Sequence, residues 1–467
     1  MCRFIGIEGR PILYISVAFL VSLAVGGAIV ALSDSLSRLV RDRGDHAAVQ
    51  SSHAHEALRF GGVAILIGLF AGTAALSWAK GNLQCFFLLL SALPIIVAGV
   101  SEDSGRLVSA KYRFLVAMLS AGVAVWLLGV WVQRADVPGL DLVFQNAPAA
   151  IAISIFFAGG FCHAVNLIDG MNGLSAFVIM SAATGLGIVA TGEALPDLAT
   201  LAYMLAAATL AFAIFNWPKS RLFLGDAGAY GLGHVLVWSA FSLAASSRNV
   251  SVPALLLILF WPLADTLHTV MRRFLSSMSL FQPDRMHLHQ KVRRGLEITI
   301  FGRKRRRVSN PLTTLVLAPL ILFPVSLGVI LAEHRLLAWI ALLVCFGLFA
   351  LAHIVAMALA QRLRKPGGAL GTLPSFMESQ LDFWEAILLP ARIHSGLSGI
   401  FIEDGMAVDV QIFRHVRQDM WFMEITAGNS APWRWDRVFH RDSEAWEAFH
   451  SAVRRETLAG IAQANAA

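Results

Sequence analysis

The chain has 467 residues, of which 57% are hydrophobic and 14% are charged, and its formal net charge is +7. A soluble globular domain carries about 25% charged residues, so this composition excludes that class and predicts a polytopic membrane protein. Its four cysteines stand singly in the sequence, without the spacing of a disulfide framework or a thiolate metal site.

Apolar runs along the chain predict eleven membrane spans, because about 20 apolar residues are needed to cross a bilayer. The predicted fold class is therefore an all-α polytopic membrane protein with about eleven transmembrane helices. The first run is expected to remain as a membrane helix and not to be cleaved. The runs cover residues 11–33, 61–79, 84–100, 114–133, 148–165, 174–192, 198–215, 228–246, 252–271, 312–332 and 336–360.

Lysine and arginine are unequally divided between the loops. The loops after the odd-numbered spans hold 20 of them, whereas the loops after the even-numbered spans hold 4. Because basic loops stay in the cytoplasm, the odd-numbered loops and the tail are predicted to be cytoplasmic, and the amino terminus to lie outside. Four polar motifs fall on this predicted cytoplasmic side: Ser101–Asp103, Asn166–Gly173, Phe223–Gly228 and Asp284–His289.

The first two motifs offer oxygen ligands. Glu102 and Asp103 are adjacent carboxylates, which repel each other unless a cation lies between them, and Mg²⁺ usually takes one or two carboxylates plus substrate phosphates. Alternatively, the two carboxylates lie in a solvent-exposed loop and bind no metal. In the second motif, flanking glycines predict a tight turn from which Asn166 and Asp169 project toward a ligand, although a plain turn between two helices has the same signature.

Two further aspartates lie at or inside predicted spans. Asp226 precedes the eighth span, where a helix N-terminus favours a phosphate or its metal, or where the aspartate is a plain N-cap. Asp265 lies inside the ninth span, where an ionisable side chain is costly and indicates a functional role. Because Arg272 or Arg273 would also neutralise it, Asp265 is assigned a supporting role.

His287 and His289 form the fourth motif. Two imidazoles at i and i+2 share a side only in extended or turn backbone. Zinc binding lacks a third ligand here, and hydrogen bonding to phosphate oxygens suits the basic surroundings better, although a basic loop that only sets topology would look similar. The neighbouring basic residues are Arg285, Lys291, Arg293 and Arg294.

Taken in order, the motifs resemble those of the polyprenyl-phosphate N-acetylhexosamine-1-phosphate transferases, glycosyltransferase family 4, over residues 59–295. The sequence departs from the family pattern at Glu102 and Asn172, where the family has aspartates, and at Gln290, where a third histidine often follows. The matching segments are Arg59–Gly62 (RxGG), Glu102-Asp103 with Lys111 (paired aspartates and lysine), Asn166–Gly173 (NxxDGxDG), Phe223–Gly228 (FxGDxG), Pro262–Asp265 (PxxD), Arg272-Arg273 (RR) and Pro283–His289 (DRxHxH).

This resemblance implies a transferase at the cytoplasmic face of the bacterial inner membrane, most like the branch that initiates O-antigen and enterobacterial common antigen. Such an enzyme transfers N-acetylglucosamine 1-phosphate from a UDP-sugar to undecaprenyl phosphate and releases UMP. Alternatives are the peptidoglycan enzyme that takes UDP-N-acetylmuramoyl-pentapeptide, and a transporter, whose site would lie near the bilayer midplane.

The resemblance also implies roles for individual residues. Mg²⁺, with Mn²⁺ as an alternative, is assigned to Asp103 and Asp226. The implied partners are undecaprenyl phosphate, a UDP-N-acetylhexosamine and membrane lipid, and a homodimer is left open. The implied catalytic residues are Glu102, Asp103, Asp169 and Asp226. The implied substrate-binding residues are Arg59, Lys111, Asn166, Asn172, Asp265, Arg285, His287 and His289.

Two segments follow the motifs. The basic run at 303–307 stands before the tenth span, where anionic lipid attracts such clusters, so membrane lipid and not nucleic acid is its expected partner. Residues 1–364 are predicted to form the transmembrane catalytic domain and 365–467 a small cytoplasmic α+β domain. Strands are predicted at Val408–Phe413 and Trp421–Thr426, and a helix near Ser443, with an apolar face that includes Trp446, Phe449, Val453, Leu458 and Ile461.

Overall fold

The structure is a computed structural model, and it divides the chain into two compact units. Residues 1–295 and 310–362 form the first unit, and residues 296–309 and 363–467 form the second. The residues described are 11–37, 58–106, 108–275, 286–297, 300, 306–362, 392–403, 406–415, 420–427, 433–435 and 438–455.

The first unit is helical throughout the described residues. Nine of the helices in this part of the chain are long and apolar enough to cross a membrane, and two bent helix pairs raise the number to eleven. The predicted fold class is therefore confirmed. The helices are α1 (Pro11–Ala31), α2 (Ser33–Ser37), α3 (Gly61–Lys80), α4 (Gln84–Ser91), α5 (Leu93–Asp103), α6 (Ala110–Leu128), α7 (Asp141–Phe144), α8 (Ala147–Ile168), α9 (Leu174–Gly192), α10 (Pro196–Asn216), α11 (Gly225–Ser246), α12 (Val252–Ile258), α13 (Phe260–Leu275), α14 (Leu288–Leu296), α15 (Arg306–Ile330) and α16 (Arg335–Arg362).

Two predicted spans are broken helices. The third consists of α4 and α5, bent by 40°, and the ninth consists of α12 and α13, bent by 87°. Hydropathy measures only the length of an apolar run and does not reveal a bend inside it. The fourth span begins at Ala110 instead of residue 114, so that Lys111 lies in its first turn. The eighth span begins at Gly225 instead of residue 228, so that α11 starts within the Phe223–Gly228 motif.

The centre of the helical unit is α11, which is buried along nearly its whole length and packs against α3, α5 and α8. The close packing depends on small residues where these helices meet. A Cβ at Gly62 would overlap the Cα of Gly228, and a Cβ at Gly99 would overlap the Cα of Ala227. Three helix backbones therefore meet around the first turn of α11.

The second unit contains a small antiparallel sheet and a helix. Its strands are β1 (Arg392–His394), β2 (Gly399–Glu403), β3 (Met406–His415), β4 (Phe422–Ala427) and β5 (Trp433–Arg434), and its helix is α17 (Asp442–Arg455). The long strand β3 pairs with β1, β2 and β4, and β5 pairs with β4.

The core of this second unit includes three of the residues predicted for the apolar helix face. Trp446, Phe449 and Val453 contribute to one apolar cluster with the inward side of the sheet. The other two predicted residues, Leu458 and Ile461, lie outside the described residues. The two strands and the helix predicted from the sequence are present, and the sheet has three further short strands.

Replacing Gly62 with alanine is predicted to destabilise the helical unit, because the new methyl group would push α3 away from α11. Overpacking of this kind costs about 1–3 kcal/mol, so the thermal unfolding midpoint in detergent should fall. Gly160→Ala in α8 is the matched control, since a Cβ there meets nothing within 4 Å in the described structure. Equal midpoints for the two variants would contradict the predicted close contact.

Candidate active site

The loop before α11 is fixed by a second segment of backbone. The amides of Gly61 and Gly62 donate to the carbonyls of Phe223 (2.8 Å) and Leu224 (2.7 Å), and the amide of Phe223 donates to the carbonyl of Leu58 (2.9 Å). These bonds extend a parallel bridge between residues 58 and 222. The RxGG segment and the FxGDxG loop therefore form a single structural element, although 160 residues separate them.

Asp103 holds the N-terminus of α11. Its two carboxylate oxygens accept the backbone N–H groups of Asp226 and Ala227, each at 2.9 Å. A carboxylate at this position satisfies donors that a helix leaves unpaired and interacts favourably with the helix dipole. Gly225 turns the chain into the helix with φ +78°, and a Cβ there would overlap the carbonyl of Arg59. The glycine is therefore required by both backbone conformation and space.

Arg113 lies between two of the predicted catalytic carboxylates. Its Nη1 pairs with Oδ2 of Asp226 and lies 3.7 Å from Oε1 of Glu102. The other oxygen of Glu102 accepts the backbone N–H of Val108 at 2.7 Å. Arg113 was not predicted to have a role, because residues 101–113 were interpreted as a loop. Arg113 lies in the first turn of α6. A prediction that started this helix at Ala110 would have placed Arg113 near the carboxylates.

Asp169 ends α8 and lies in the same neighbourhood. Ser175 donates its hydroxyl to Oδ1 of Asp169 at 2.7 Å. Burial raises the pKa of Asp169 to about 6; the charge of Asp226 adds to the rise, and the Ser175 bond and the charge of Arg59 oppose it. The structure therefore brings Asp103, Asp169 and Asp226 to one end of the bundle, with Arg59 within electrostatic reach of all three.

The two asparagines of the NxxDGxDG segment make different contacts. Asn166 donates from Nδ2 to the hydroxyl of Tyr230 at 3.0 Å. Asn172 is buried, and its side-chain Nδ2 donates to the carbonyl of Pro218 at 3.0 Å. The backbone N–H of Asn172 donates to Oδ1 of Asn310. A carboxylate at position 172 would have no proton for the Pro218 carbonyl, so the departure from the family's aspartate matches the local hydrogen bonding.

The histidine motif forms a second polar cluster. Nδ1 of His287 lies 2.6 Å from Oδ2 of Asp265, and both side chains are 1% exposed. Asp265 therefore has a different partner from the arginines considered in the sequence analysis. The rings of His287 and His289 are stacked, with centroids 5.4 Å apart. Burial lowers the pKa of His289 to about 4 despite the charge of Asp265, so His289 is neutral near pH 7 and offers a hydrogen bond but no fixed positive charge.

Both polar clusters border the same apolar cluster. Leu288, between the two histidines, is buried in one apolar cluster with Ile168 and Met171, which flank Asp169 in the chain. Lys111 is exposed in the first turn of α6, next to the Glu102 and Asp103 motif in sequence. Arg285 lies outside the described residues.

The chemistry of the carboxylates suits a hard cation. Within the described residues, no three His, Cys, Asp or Glu side chains form a ready-made metal cage. Mg²⁺ does not need one, because it usually keeps several waters and binds through one or two carboxylates together with substrate phosphates. Asp226 fits this pattern at the helix N-terminus. Asp103 fits it less well, because each of its oxygens already accepts a backbone N–H.

Comparison with known proteins shows a family match within the helical unit. The model of the family described as glycosyl transferase family 4 matches residues 85–244, which include the Glu102, Asp169 and Asp226 motifs. The match to glycosyl transferase family 4 covers these 160 residues, about a third of the chain. The apolar helices indicate a multi-pass membrane protein.

Curated proteins that are similar to this chain carry two kinds of name. A probable undecaprenyl-phosphate N-acetylglucosaminyl 1-phosphate transferase of Bacillus subtilis is 28% identical over 73% of this chain and 91% of its own length. An undecaprenyl-phosphate alpha-N-acetylglucosaminyl 1-phosphate transferase of Salmonella typhi is 25% identical over 51% and 67%. A phospho-N-acetylmuramoyl-pentapeptide-transferase of Aquifex aeolicus is 25% identical over 61% and 85%.

Asp169 is predicted to make stability depend on pH. Its folded pKa of about 6 lies above the ordinary 3.8, so between pH 4 and 6 the folded protein holds a proton that the unfolded chain has released. Stability should therefore fall as the pH rises through this window, by no more than about 3 kcal/mol at 1.36 kcal/mol per pKa unit.

Thermal unfolding of wild type and Asp169→Asn between pH 4 and 7 measures this contribution. Between pH 4 and 6, the unfolding midpoint of Asp169→Asn should fall less than that of wild type. Glu333→Gln, a control at an exposed residue, should show the same fall as wild type. An unchanged pH profile in Asp169→Asn would show that Asp169 is already ionised at low pH in the folded protein.

Proposed function

We propose that this protein transfers N-acetylglucosamine 1-phosphate from UDP-N-acetylglucosamine to undecaprenyl phosphate. The proposed site faces the cytoplasm at the bacterial inner membrane, and the product starts a surface polysaccharide. The main support is the convergence of Asp103, Asp226 and Arg113 at the N-terminus of α11, at one end of a membrane bundle. The names of the Bacillus and Salmonella relatives support the choice of substrates.

In the proposed reaction, an oxygen of the lipid phosphate attacks the β-phosphorus of the UDP-sugar. A new P–O–P bond forms, and the bond between the β-phosphorus and the oxygen that bridges to the α-phosphorus breaks, so that UMP leaves with that oxygen. The second pKa of a phosphate monoester is about 6, so the nucleophile is largely dianionic near pH 7. A strong general base is therefore unnecessary.

Repulsion between the two anions is the main barrier that such a site has to lower. Asp226 is the residue that we assign to Mg²⁺, and the bound cation would neutralise charge on the diphosphate and on departing UMP. Asp103 keeps the loop and the helix N-terminus in place for Asp226. Arg113, held by Asp226 and Glu102, supplies a positive charge at the same point.

The remaining residues bind and orient the substrates in this proposal. Glu102, which is anchored by the Val108 amide, orients the lipid phosphate through Arg113. The Asp265–His287 pair fixes the orientation of the His287 ring, and the stacked His289 is a neutral hydrogen-bond donor to phosphate oxygen. Arg59, Asn166 and Lys111 complete the polar rim.

Two other functions are weighed against this one. Transfer of phospho-N-acetylmuramoyl-pentapeptide is supported by the name of the Aquifex relative, and a panel of UDP-sugars separates it from the proposed reaction. A transporter would need a site near the bilayer midplane, whereas Asp103, Asp169 and Asp226 lie at helix ends.

Release of UMP tests the proposed function. Purified protein in detergent, given UDP-N-acetylglucosamine, undecaprenyl phosphate and Mg²⁺, should release UMP and lose this activity with EDTA. Because one phosphoanhydride replaces another, excess UMP should regenerate the UDP-sugar from labelled product. UMP release only from the muramoyl-pentapeptide substrate would favour the peptidoglycan reaction, and no release from either would contradict both.

Glu102→Gln is predicted to be partly active. The glutamine keeps an oxygen for the Val108 amide but loses the charge that lies 3.7 Å from the Arg113 guanidinium, so kcat should fall about tenfold, which corresponds to about 1.4 kcal/mol. The shape of the pH–rate profile should not change. Asp226→Asn, which removes the proposed metal ligand, should lose far more activity. A variant Glu102→Gln that is inactive at every pH, although it binds Mg²⁺ and both substrates, would instead indicate a proton-transferring role for Glu102.

A further inference from the structure

Helix α16 reaches the histidine cluster. His353, nine residues before the end of α16 at Arg362, is 2% exposed, and its Nδ1 lies 3.0 Å from Nζ of Lys291. Lys291 stands in the first turn of α14, two residues after His289. His353 lies outside the segment of residues 85–244 that the family model matches, and its position within an apolar run gave no signal in the sequence.

The orientation of the His353 ring is determined by its neighbours. The ring stacks on His268 of α13, with centroids 3.8 Å apart and an angle of 24° between the planes. Phe349, one turn earlier in α16, has its ring centroid 5.0 Å from that of His353 and 6.3 Å from that of His268. A ring enclosed in this way cannot rotate freely, so its Nδ1 presents a fixed acceptor.

The contact with Lys291 defines the chemical state of the imidazole. An ammonium group carries three protons and no lone pair, so Nζ is the donor and Nδ1 is the acceptor. The ring is therefore neutral, with its proton on Nε2. An aspartate at this position would hold the ammonium equally well but would cancel its charge, whereas the neutral imidazole orients the ammonium and leaves it positively charged.

His353 connects the Lys291 ammonium with the proposed phosphate-binding groups. His353 is within electrostatic reach of Lys291, Asp265 and His287, so one neighbourhood contains the Asp265–His287 pair and the oriented ammonium. Because His289 is neutral near pH 7, the histidine motif needs a separate source of fixed positive charge if it is to bind a phosphate. Lys291 can supply that charge.

We propose that His353 is a positioning residue that holds the ammonium of Lys291 for a phosphate group of one substrate. This inference rests on the proposed function. Both the diphosphate of the UDP-sugar and the phosphate of the polyprenyl lipid have the required chemistry. Helix α16 is then part of the substrate site and not only part of the membrane scaffold.

Steady-state kinetics of four variants test this proposal: His353→Leu, His353→Asn, Lys291→Ala and His353→Leu/Lys291→Ala. Leucine removes the acceptor, so the KM for one substrate should rise about tenfold with kcat changed less than twofold, as expected for one oriented charged contact. The oxygen of asparagine can take the place of Nδ1, so His353→Asn should recover to within about threefold of wild type. The double variant should be no worse than Lys291→Ala, because His353 acts through Lys291.

The KM that rises identifies the source of the phosphate: UDP-N-acetylglucosamine at saturating lipid, or undecaprenyl phosphate at saturating nucleotide. The control is His334→Leu, an exposed histidine just before the other end of α16, which should leave both KM values unchanged. Thermal unfolding midpoints show whether each variant is folded.

Two results would overturn the proposal. In the first, the KM increases of His353→Leu and Lys291→Ala multiply in the double variant. In the second, folded His353→Leu has an unchanged KM for both substrates. If His353→Leu does not fold, His353→Asn decides, because it should be folded and nearly as active as wild type. A wild-type protein that releases no UMP would refute the proposed function itself, which is a separate result.

Discussion

Backbone hydrogen bonding between residues 58–62 and the loop before α11 is the interaction on which the site depends. Those bonds fix the loop, and the two oxygens of Asp103 then fix the helix N-terminus that follows it. The contact leaves no room for side chains at Gly62 and Gly225. The position of Asp226, and through it that of Arg113, follows from this geometry.

The site balances buried charges of both signs. Unpaired charges are costly away from water, so carboxylates at a membrane helix end need cations or hydrogen-bond donors nearby. Backbone amides donate hydrogen bonds to Asp103, and the Ser175 hydroxyl donates one to Asp169. The Arg113 guanidinium pairs with Asp226 and Glu102. In the proposed reaction, these contacts would rearrange when a phosphate and its metal bind.

Much of this architecture could be predicted from the sequence, because hydropathy and polar interruptions report where helices begin and end. The spans were found in this way, and so were the motifs with Asp103, Asp169 and Asp226. The bends at α4–α5 and α12–α13 could not be found, since an apolar run has the same hydropathy straight or bent. Strands β1 and β5 have too few residues for a recognisable alternation, and β2 has three successive apolar residues, Ile400 to Ile402, so it does not alternate.

The roles of individual side chains were harder to predict than their presence. Asp103 was expected to bind a metal, but its contacts with the Asp226 and Ala227 amides depend on residues more than 120 positions away. The contact of His353 with Lys291 likewise joins residues 62 positions apart, and sequence periodicity does not report such pairs.

An experimental structure of the protein with UDP-N-acetylglucosamine and Mn²⁺, whose anomalous scattering marks the cation, tests the central claim most directly. The account predicts cation density at the Asp226 carboxylate, in contact with the diphosphate, with Asp103 still accepting the Asp226 and Ala227 amides. A cation bound at the histidine motif instead, or Asp103 released from the helix N-terminus to bind it, would contradict the account.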